Sequence, residues 1–332
     1  IEIIGLGAGD IEQLPLGIYR KLHEEKRTVY TRTIAHPVIE ELQREGIKFH
    51  PFDSIYEKYD NFEKVYDEIV AYLLDKAKNE SIIYAVPGHP LLAEKTVQLL
   101  LEQSEVQVDI IGGHSYLDDI FTALKIDPIE GFQFIDATSF TRENLNYTNH
   151  LIFCQVYDPF IASEVKLTLL EDLRPDYEVK IVDAAGTKDE KVQTIELQDL
   201  DRIVKTSNLL SLYVPPVPQE ELKHQFDTLR SIIKTLRGPD GCPWDRKQTH
   251  ESLREYAIEE VYELVDAINR GNDEEIIEEL GDVLLQVMLH SQIGEDNGYF
   301  TIDDVIKRIS EKMIYRHPHV FHPEKEWKSW DE

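Results

Sequence analysis

Cysteine is nearly absent. The 332 residues carry two, Cys154 and Cys242, far apart and in no CxxC pair. A disulfide scaffold is excluded, and a reducing, cytoplasmic compartment is the expectation. Basic residues are also scarce: 35 Lys and Arg stand against 64 Asp and Glu, for a net charge of -29. Such a chain repels phosphate backbones and anionic lipid, so no nucleic-acid partner is expected. A polyanionic ligand would need a local basic cluster or a divalent metal to overcome that field. No apolar run approaches the roughly 20 residues of a membrane span, so no membrane partner is expected either. The chain opens directly on strand-like IEIIGLG, without the basic and apolar regions of a signal peptide. Internal repeats and low-complexity tracts are lacking. What is present, 42% hydrophobic and 30% charged residues, is a globular composition. The length suits one large or two ordinary domains.

The rhythm changes along the chain. From 1 to 213, short β-branched runs (IEIIGLG, TVYT, SIIYAVPG, VQVDIIGG, HLIFCQVY, EVKIVDAAG) alternate with helical periods such as FEKVYDEIVAYLLDKAKN. That order predicts an α/β domain. Toward KVQTIELQDL and NLLSLYV the strands crowd together, which predicts a second sheet of mixed direction. VPPVPQ, residues 214–219, then places three prolines in six residues and reads as a linker. Over 220–332 strand signals vanish and four helical periods follow. Gly238, Gly271 and Gly298 sit where C-cap glycines sit, and Asp273 and Thr301 where N-caps sit.

Acidic residues on two of those helices follow a pattern. EExxE falls at Glu259, Glu260 and Glu263, and ExxD at Glu279 and Asp282. On the first helix Ala257, Val261, Leu264, Val265 and Ile268 make an apolar stripe, with Glu260 roughly 80° and Glu263 roughly 140° to one side of its centre. On the second, Ile276, Leu280, Val283, Leu284 and Val287 make the stripe, and Glu279 and Asp282 fall at nearly the same offsets on the same side. Gly271 and Asn272 form a tight turn, so the helices should be antiparallel neighbours. Same-sided edges then meet, and four carboxylates converge. Such a set requires a cation, and oxygen-only ligands favour Mg²⁺ or Mn²⁺ over Zn²⁺. The plainer reading, a solvated helix face, fits one EExxE alone and also fits Glu274, Glu275 and Glu278.

Other stretches are suggestive only in company. LRGPDGCPWDRKQTH is a rigid loop offering Trp244 beside Arg246 and Lys247; alone it could be an ordinary loop with a buried tryptophan. Lys312 and Arg316 share a helix face, as phosphate ligands or as ion-pair partners. His317 and His319, flanking Pro318, suit capping or packing better than metal.

Together, GCPWD…QTHESL, EExxE, EELGD, RHPHVF and Trp330 resemble the MazG-type nucleoside triphosphate pyrophosphohydrolases over 220–332. The resemblance implies metal ligands at Glu260, Glu263, Glu279 and Asp282, with Glu259 beside them to orient water. It implies triphosphate and base contacts at Lys312, Arg316 and Trp330, with Trp244 and Lys247 as further candidates. It also implies a homodimer. The reaction would be NTP + H₂O → NMP + pyrophosphate.

In the first half, GLGAGD places Gly5, Gly7 and Gly9 just after a strand, without the GxGxxG fingerprint. AVPGHPLLAE and IIGGHSYLDDIFTALKI supply two more strand-ending turns, and three such turns at one sheet edge would frame a cleft. In this order the loops resemble the tetrapyrrole (corrin/porphyrin) methylases. The resemblance implies S-adenosylmethionine contacts at Ala8, Gly88, His89, Leu92, Ser115, Tyr116 and Ala185. Ala8 replaces a common proline, His89 a common aspartate, and GGHSY the usual PGISS. The leading expectation is therefore an NTP pyrophosphohydrolase with a methyltransferase-like domain. The alternatives are a methyltransferase that uses its helical half to dimerise, and a non-enzymatic nucleotide-binding regulator.

Overall fold

A computed structural model of the chain describes residues 1–24, 26–207 and 209–322, so Trp330 lies outside the described residues. The chain divides into two compact units, Ile1–Val217 and Pro218–Glu332.

The first unit begins with a parallel sheet. Its elements are β1 (Glu2–Gly5), α1 (Leu16–Glu24), β2 (Val29–Thr31), α2 (Pro37–Arg44), β3 (Phe49–Pro51), α3 (Asp53–Lys58), α4 (Phe62–Ala77), β4 (Ile83–Val86), α5 (Lys95–Glu102) and β5 (Asp109–Gly112). The strand order is β3-β2-β4-β1-β5. All pairings are parallel. The inner strands β2, β4 and β1 are near-continuous apolar runs because both faces are covered. Ile3, Tyr84 and Val86 pack with Val65, Ile69 and Leu73 of α4 and with Val97 of α5. Ile4, Ile83 and Ala85 pack on the other face with Ile18 and Leu22 of α1 and Val38 and Leu42 of α2.

A second sheet follows, made of α6 (Tyr116–Leu124), β6 (Phe132–Asp136), β7 (His150–Cys154), α7 (Pro159–Leu169), β8 (Glu178–Asp183), β9 (Lys191–Glu196), α8 (Leu200–Ile203) and β10 (Leu210–Val214). Its order is β6-β7-β10-β8-β9. Only β6 and β7 run parallel. The expected mixed sheet is therefore present. Val217 donates its N–H to the Tyr147 carbonyl at 2.8 Å, which ties the proline segment to this unit. Two strands have no sequence counterpart. β3 is a three-residue edge strand ending in Pro51 with only Phe49 buried, and β6 is half-buried at every position, so neither alternates.

Three turns meet at the carboxyl edge of the parallel sheet. Gly7 and Gly88 exchange backbone hydrogen bonds of 3.2 and 2.8 Å. Both adopt left-handed backbone, φ +70° and +67°. A methyl group on Gly5 would sit 2.2 Å from the Gly88 carbonyl oxygen. Gly5→Ala should therefore destabilise this unit by about 1–3 kcal/mol, read as a lower urea midpoint. An unchanged midpoint would show that the turn can relax.

The second unit is helical: α9 (Phe226–Arg237), α10 (Pro243–Lys247), α11 (Arg254–Arg270), α12 (Asp273–Asp296), α13 (Ile302–Arg316) and α14 (Pro318–Phe321). Gly271 closes α11 in left-handed conformation. Asn272, one residue before the expected Asp273, caps α12 by accepting the Glu274 N–H. Thr301 and Asp304 form a capping box on α13. Gly298 is left-handed as expected, but Gly238 is extended, φ -66° and ψ 173°, because the chain turns directly into the GPDG loop. The core is small: Ile233, Leu253, Met288, Leu289, Ile293 and Ile302. Among the described residues no helix is long and apolar enough to cross a membrane.

Candidate functional site

The α11–α12 hairpin gathers the acidic residues. Glu260 and Glu263 are one turn apart on α11, and Glu279 and Asp282 one turn apart on α12. One carboxylate oxygen each from Glu260, Glu263 and Glu279 lies within 4.8 Å of the others. Asp282, the fourth expected ligand, is not in that group, although its charge acts on Glu260 and Glu279. Burial pushes the Glu260 carboxyl above its usual range, and the charges of Asp282, Glu263, Glu259 and Glu279 push it further. Burial raises Glu279 as well, followed by the charges of Glu263 and Asp282, while Arg270 offsets them. Glu279 Oε2 is shut off from water and accepts no hydrogen bond among the described residues. This is the signature of acidic groups assembled without their counter-charge. Glu275 is engaged otherwise, pairing with Arg270 at 2.9 Å.

The expected phosphate ligands stand apart from this cluster. Lys312 and Arg316 are exposed on α13, and no ion pair or hydrogen bond joins either to the four carboxylates among the described residues. Lys312 lines a groove with Phe300, Val305, Arg308 and Ile309. Trp244, on α10, is half exposed and meets Tyr256 edge-on at 6.0 Å, so it is not a buried core tryptophan. Lys247, one turn along, is exposed. Arg237 holds α10 in place by donating to the Asp245 carbonyl and to Asp296. His317 Nδ1 hydrogen bonds to the Met313 carbonyl at 2.7 Å, which fits the capping reading.

In the first unit the expected cofactor contacts lie on several turns. Ala8 and Gly88 lie at the bridged turns. His89 is spent locally, its Nδ1 accepting the Leu91 N–H at 3.1 Å just before the half-buried Leu92. Ser115 caps α6 by accepting the Leu117 N–H, and the Tyr116 hydroxyl bonds to Ser211. Ala185 is buried. Beside it, Gln13 Nε2 donates to Gly186 O at 2.7 Å and to Asp119 Oδ1 at 3.1 Å. His114 Nε2 donates to the same Asp119 oxygen at 2.9 Å. Asp119 is 8% exposed. Burial raises its pKa, against the lowering effect of the His114 hydrogen bond.

The tetrapyrrole (corrin/porphyrin) methylase model matches residues 1–201, well over half of the chain. The chain belongs to this methylase family. A MazG nucleotide pyrophosphohydrolase domain, matched over residues 248–321, is fused behind the methylase domain. The Bacillus subtilis (strain 168) protein YabN is 59% identical over 97% of this chain, which spans 66% of YabN. The nucleoside triphosphate pyrophosphohydrolase/pyrophosphatase MazG of Thermotoga maritima is 57% identical over 32% of this chain and 43% of its own length. The chain thus spans less than two thirds of either relative. Among solved structures, the uroporphyrin III C-methyl transferase from Thermus thermophilus aligns over 67% of this chain and 93% of its own, at 18% identity and a TM-score of 0.47.

Two buried polar groups of the methylase domain are not evident from the sequence. Asp119 is one. Its signal was an acid on the buried side of α6, next to Ile120 and three residues from Tyr116. The other is Glu94, paired with Arg32 at 2.7 Å. Burial pushes its pKa up to about 7 against the pull of Arg32. Nothing in the spacing of RTIAHP and AEKT predicts that pair, since the two segments meet only through the parallel sheet.

Proposed function

We propose that the MazG-type domain is a Mg²⁺- or Mn²⁺-dependent nucleoside triphosphate pyrophosphohydrolase that releases nucleoside monophosphate and pyrophosphate. The observation that carries this reading is the convergence of Glu260, Glu263 and Glu279 within 4.8 Å, inside the segment matched as MazG. The donor set fits a hard divalent cation: all ligands are oxygens, and Glu279 Oε2 lacks a partner among the described residues. Glu260, Glu263, Glu279 and Asp282 would hold the ion. When bound, it supplies charge that neutralises the triphosphate and acidifies water. Glu259, exposed next to the cluster, orients the attacking water. Lys312 and Arg316 take the triphosphate, and Trp244, Lys247 and Trp330 take the nucleoside. In a chain of net charge -29, two exposed cations without an ion-pair partner among the described residues suit an anionic ligand.

A second copy of the chain completes the domain. Val261, Val265, Ile268, Leu280, Leu284 and Val287 are each 39–55% exposed on the α11–α12 stripe, a face that water does not stabilise. The methylase domain is read as an S-adenosylmethionine-binding unit that uses Ala8, Gly88, His89, Leu92, Ser115, Tyr116 and Ala185. A methyl group at Gly5 or Gly113 would strike the neighbouring turn, so these glycines hold the candidate cofactor loops against one another.

The full chain, given a panel of nucleoside triphosphates and Mg²⁺, should release pyrophosphate, and a chelator should stop it. Release of orthophosphate, or no release from any of them, would sink the reading. Hydrolysis also separates it from a methyltransferase with an inert helical half and from a non-enzymatic regulator.

A further inference from the structure

We propose that Asp119, together with Gln13, is a binding residue for S-adenosylmethionine, accepting an N–H group of the cofactor in the cleft of the methylase domain. This rests on the reading of that domain as a cofactor-binding unit and adds residues that the family pattern does not supply.

Three segments meet at Asp119. Gln13 follows the first glycine loop, His114 precedes α6, and Gly186 belongs to the turn after β8. Gln13 Nε2 bridges Asp119 Oδ1 and the Gly186 carbonyl, and His114 Nε2 donates to the same Asp119 oxygen. Among the described residues, the side-chain hydrogen bonds of Gln13 and His114 go to that one carboxylate oxygen or to the carbonyl. Asp119 Oδ2 and Gln13 Oε1 are both shut off from water and have no partner among the described residues. Had the cluster evolved only to tie loops together, its acceptors would be satisfied, because each orphaned one costs about 1–3 kcal/mol. Two orphaned acceptors on adjoining side chains call for a ligand with N–H groups.

The surroundings fit the same ligand. Gly186 has φ +74°, and a methyl group there would strike Asp119 at 2.3 Å and Gln13 at 2.5 Å, so the turn is held close against the pair. Ala185 and Ser115, both expected cofactor contacts, are immediate chain neighbours of Gly186 and His114. His89, which stands where an aspartate is common, is occupied by the Leu91 N–H. Asp119 offers a carboxylate from the first turn of α6 instead. The raised pKa of Asp119 agrees with a carboxylate waiting for a donor. S-adenosylmethionine offers N–H groups at its α-ammonium and at its adenine amino group.

Calorimetric titration of the full chain decides the matter. Wild type should bind S-adenosylmethionine and S-adenosylhomocysteine. Asp119→Asn keeps the shape but turns a donor toward a donor, and should weaken both at least tenfold while the thermal melt stays put. Asp118→Asn, exposed on the same helix, should bind like wild type. Should Asp119→Asn fail to fold, Gln13→Leu removes the other orphaned acceptor and should weaken binding in the same way. Titration with 5′-methylthioadenosine identifies the donor. Sensitivity to Asp119→Asn assigns it to the adenine amino group, and insensitivity, with S-adenosylmethionine still weakened, to the ammonium. Wild-type affinity in folded Asp119→Asn and Gln13→Leu overturns the proposal alone. No binding by wild type overturns the cofactor reading beneath it.

Discussion

Glu263→Gln, and equally Glu260→Gln, should lose pyrophosphate release by a factor on the order of 10²–10³ or more, since an active-site metal supplies several kcal/mol of charge stabilisation. The same substitutions should raise, not lower, the stability of the metal-free protein. The sign follows from the carboxyl groups. Glu260 and Glu279 have pKa values raised in the fold, through burial and then through the neighbouring carboxylates. A group with a raised folded pKa binds more protons folded than unfolded, so the metal-free fold loses stability as pH climbs above the ordinary carboxylate range. Removing one charge relieves the others. At pH 7 metal-free Glu263→Gln should therefore melt above wild type, and the gap should close as the solution is acidified. Adding Mg²⁺ should raise the wild-type melting temperature by mass action and leave the variant nearly unmoved. Full activity in the variant, or an undiminished Mg²⁺ shift, would sink the metal site. No plain solvated helix face predicts an inactive variant whose metal-free form is the more stable one.

That Glu260, Glu263 and Glu279 meet was legible in the sequence because two facts sufficed. Their angular offsets from the apolar stripes matched, and the Gly271–Asn272 turn made the helices antiparallel. Both are local properties that a helical period transmits. The cap itself was misplaced by one residue, since Asn272 and Asp273 are chemically alike and only the backbone decides which one turns back. The α/β character of the first domain was legible for a similar reason: Ile3, Ile4, Ile83 and Tyr84 are hidden on both faces and leave unbroken apolar runs. β3 and β6, on sheet edges, leave no such trace. Asp119 was missed for a deeper reason. Its hydrogen-bond partner Gln13, and the Gly186 carbonyl that Gln13 also bonds, are 106 and 67 positions away from it, brought together only by the fold, and no periodicity encodes such a meeting. Lys312 and Arg316 show the converse. Their motif was clear in sequence, yet among the described residues no bond unites them with the carboxylates within one chain, which is understandable if phosphates or a second copy bridge the distance.

Leu280→Glu should turn a dimer into a monomer at equal concentration, with the melting behaviour of the single chain little changed. Leu280 is already 51% exposed in one chain, so its loss removes little from the core of that chain. Burial against a second copy is a different matter, because a fully buried leucine contributes about 1.5–3 kcal/mol and an unpaired glutamate there must be desolvated. Symmetry doubles the effect. In a two-fold interface each substitution appears twice, so even the lower figure gives about 3 kcal/mol, or more than a hundredfold weaker association. Light scattering after size exclusion measures the mass directly, against 38.6 kDa for one chain. Loss of hydrolysis together with loss of mass would tie the active site to the interface. Hydrolysis retained by a monomer would show that one hairpin holds metal and substrate alone. A variant that stays dimeric would rule out this stripe as the joining face. The stripe borders the carboxylates because the same helical geometry fixes both. Glu260 and Glu263 lie on the flank of the surface that Val261, Val265 and Ile268 present, and whatever covers that surface also walls in the acidic cluster.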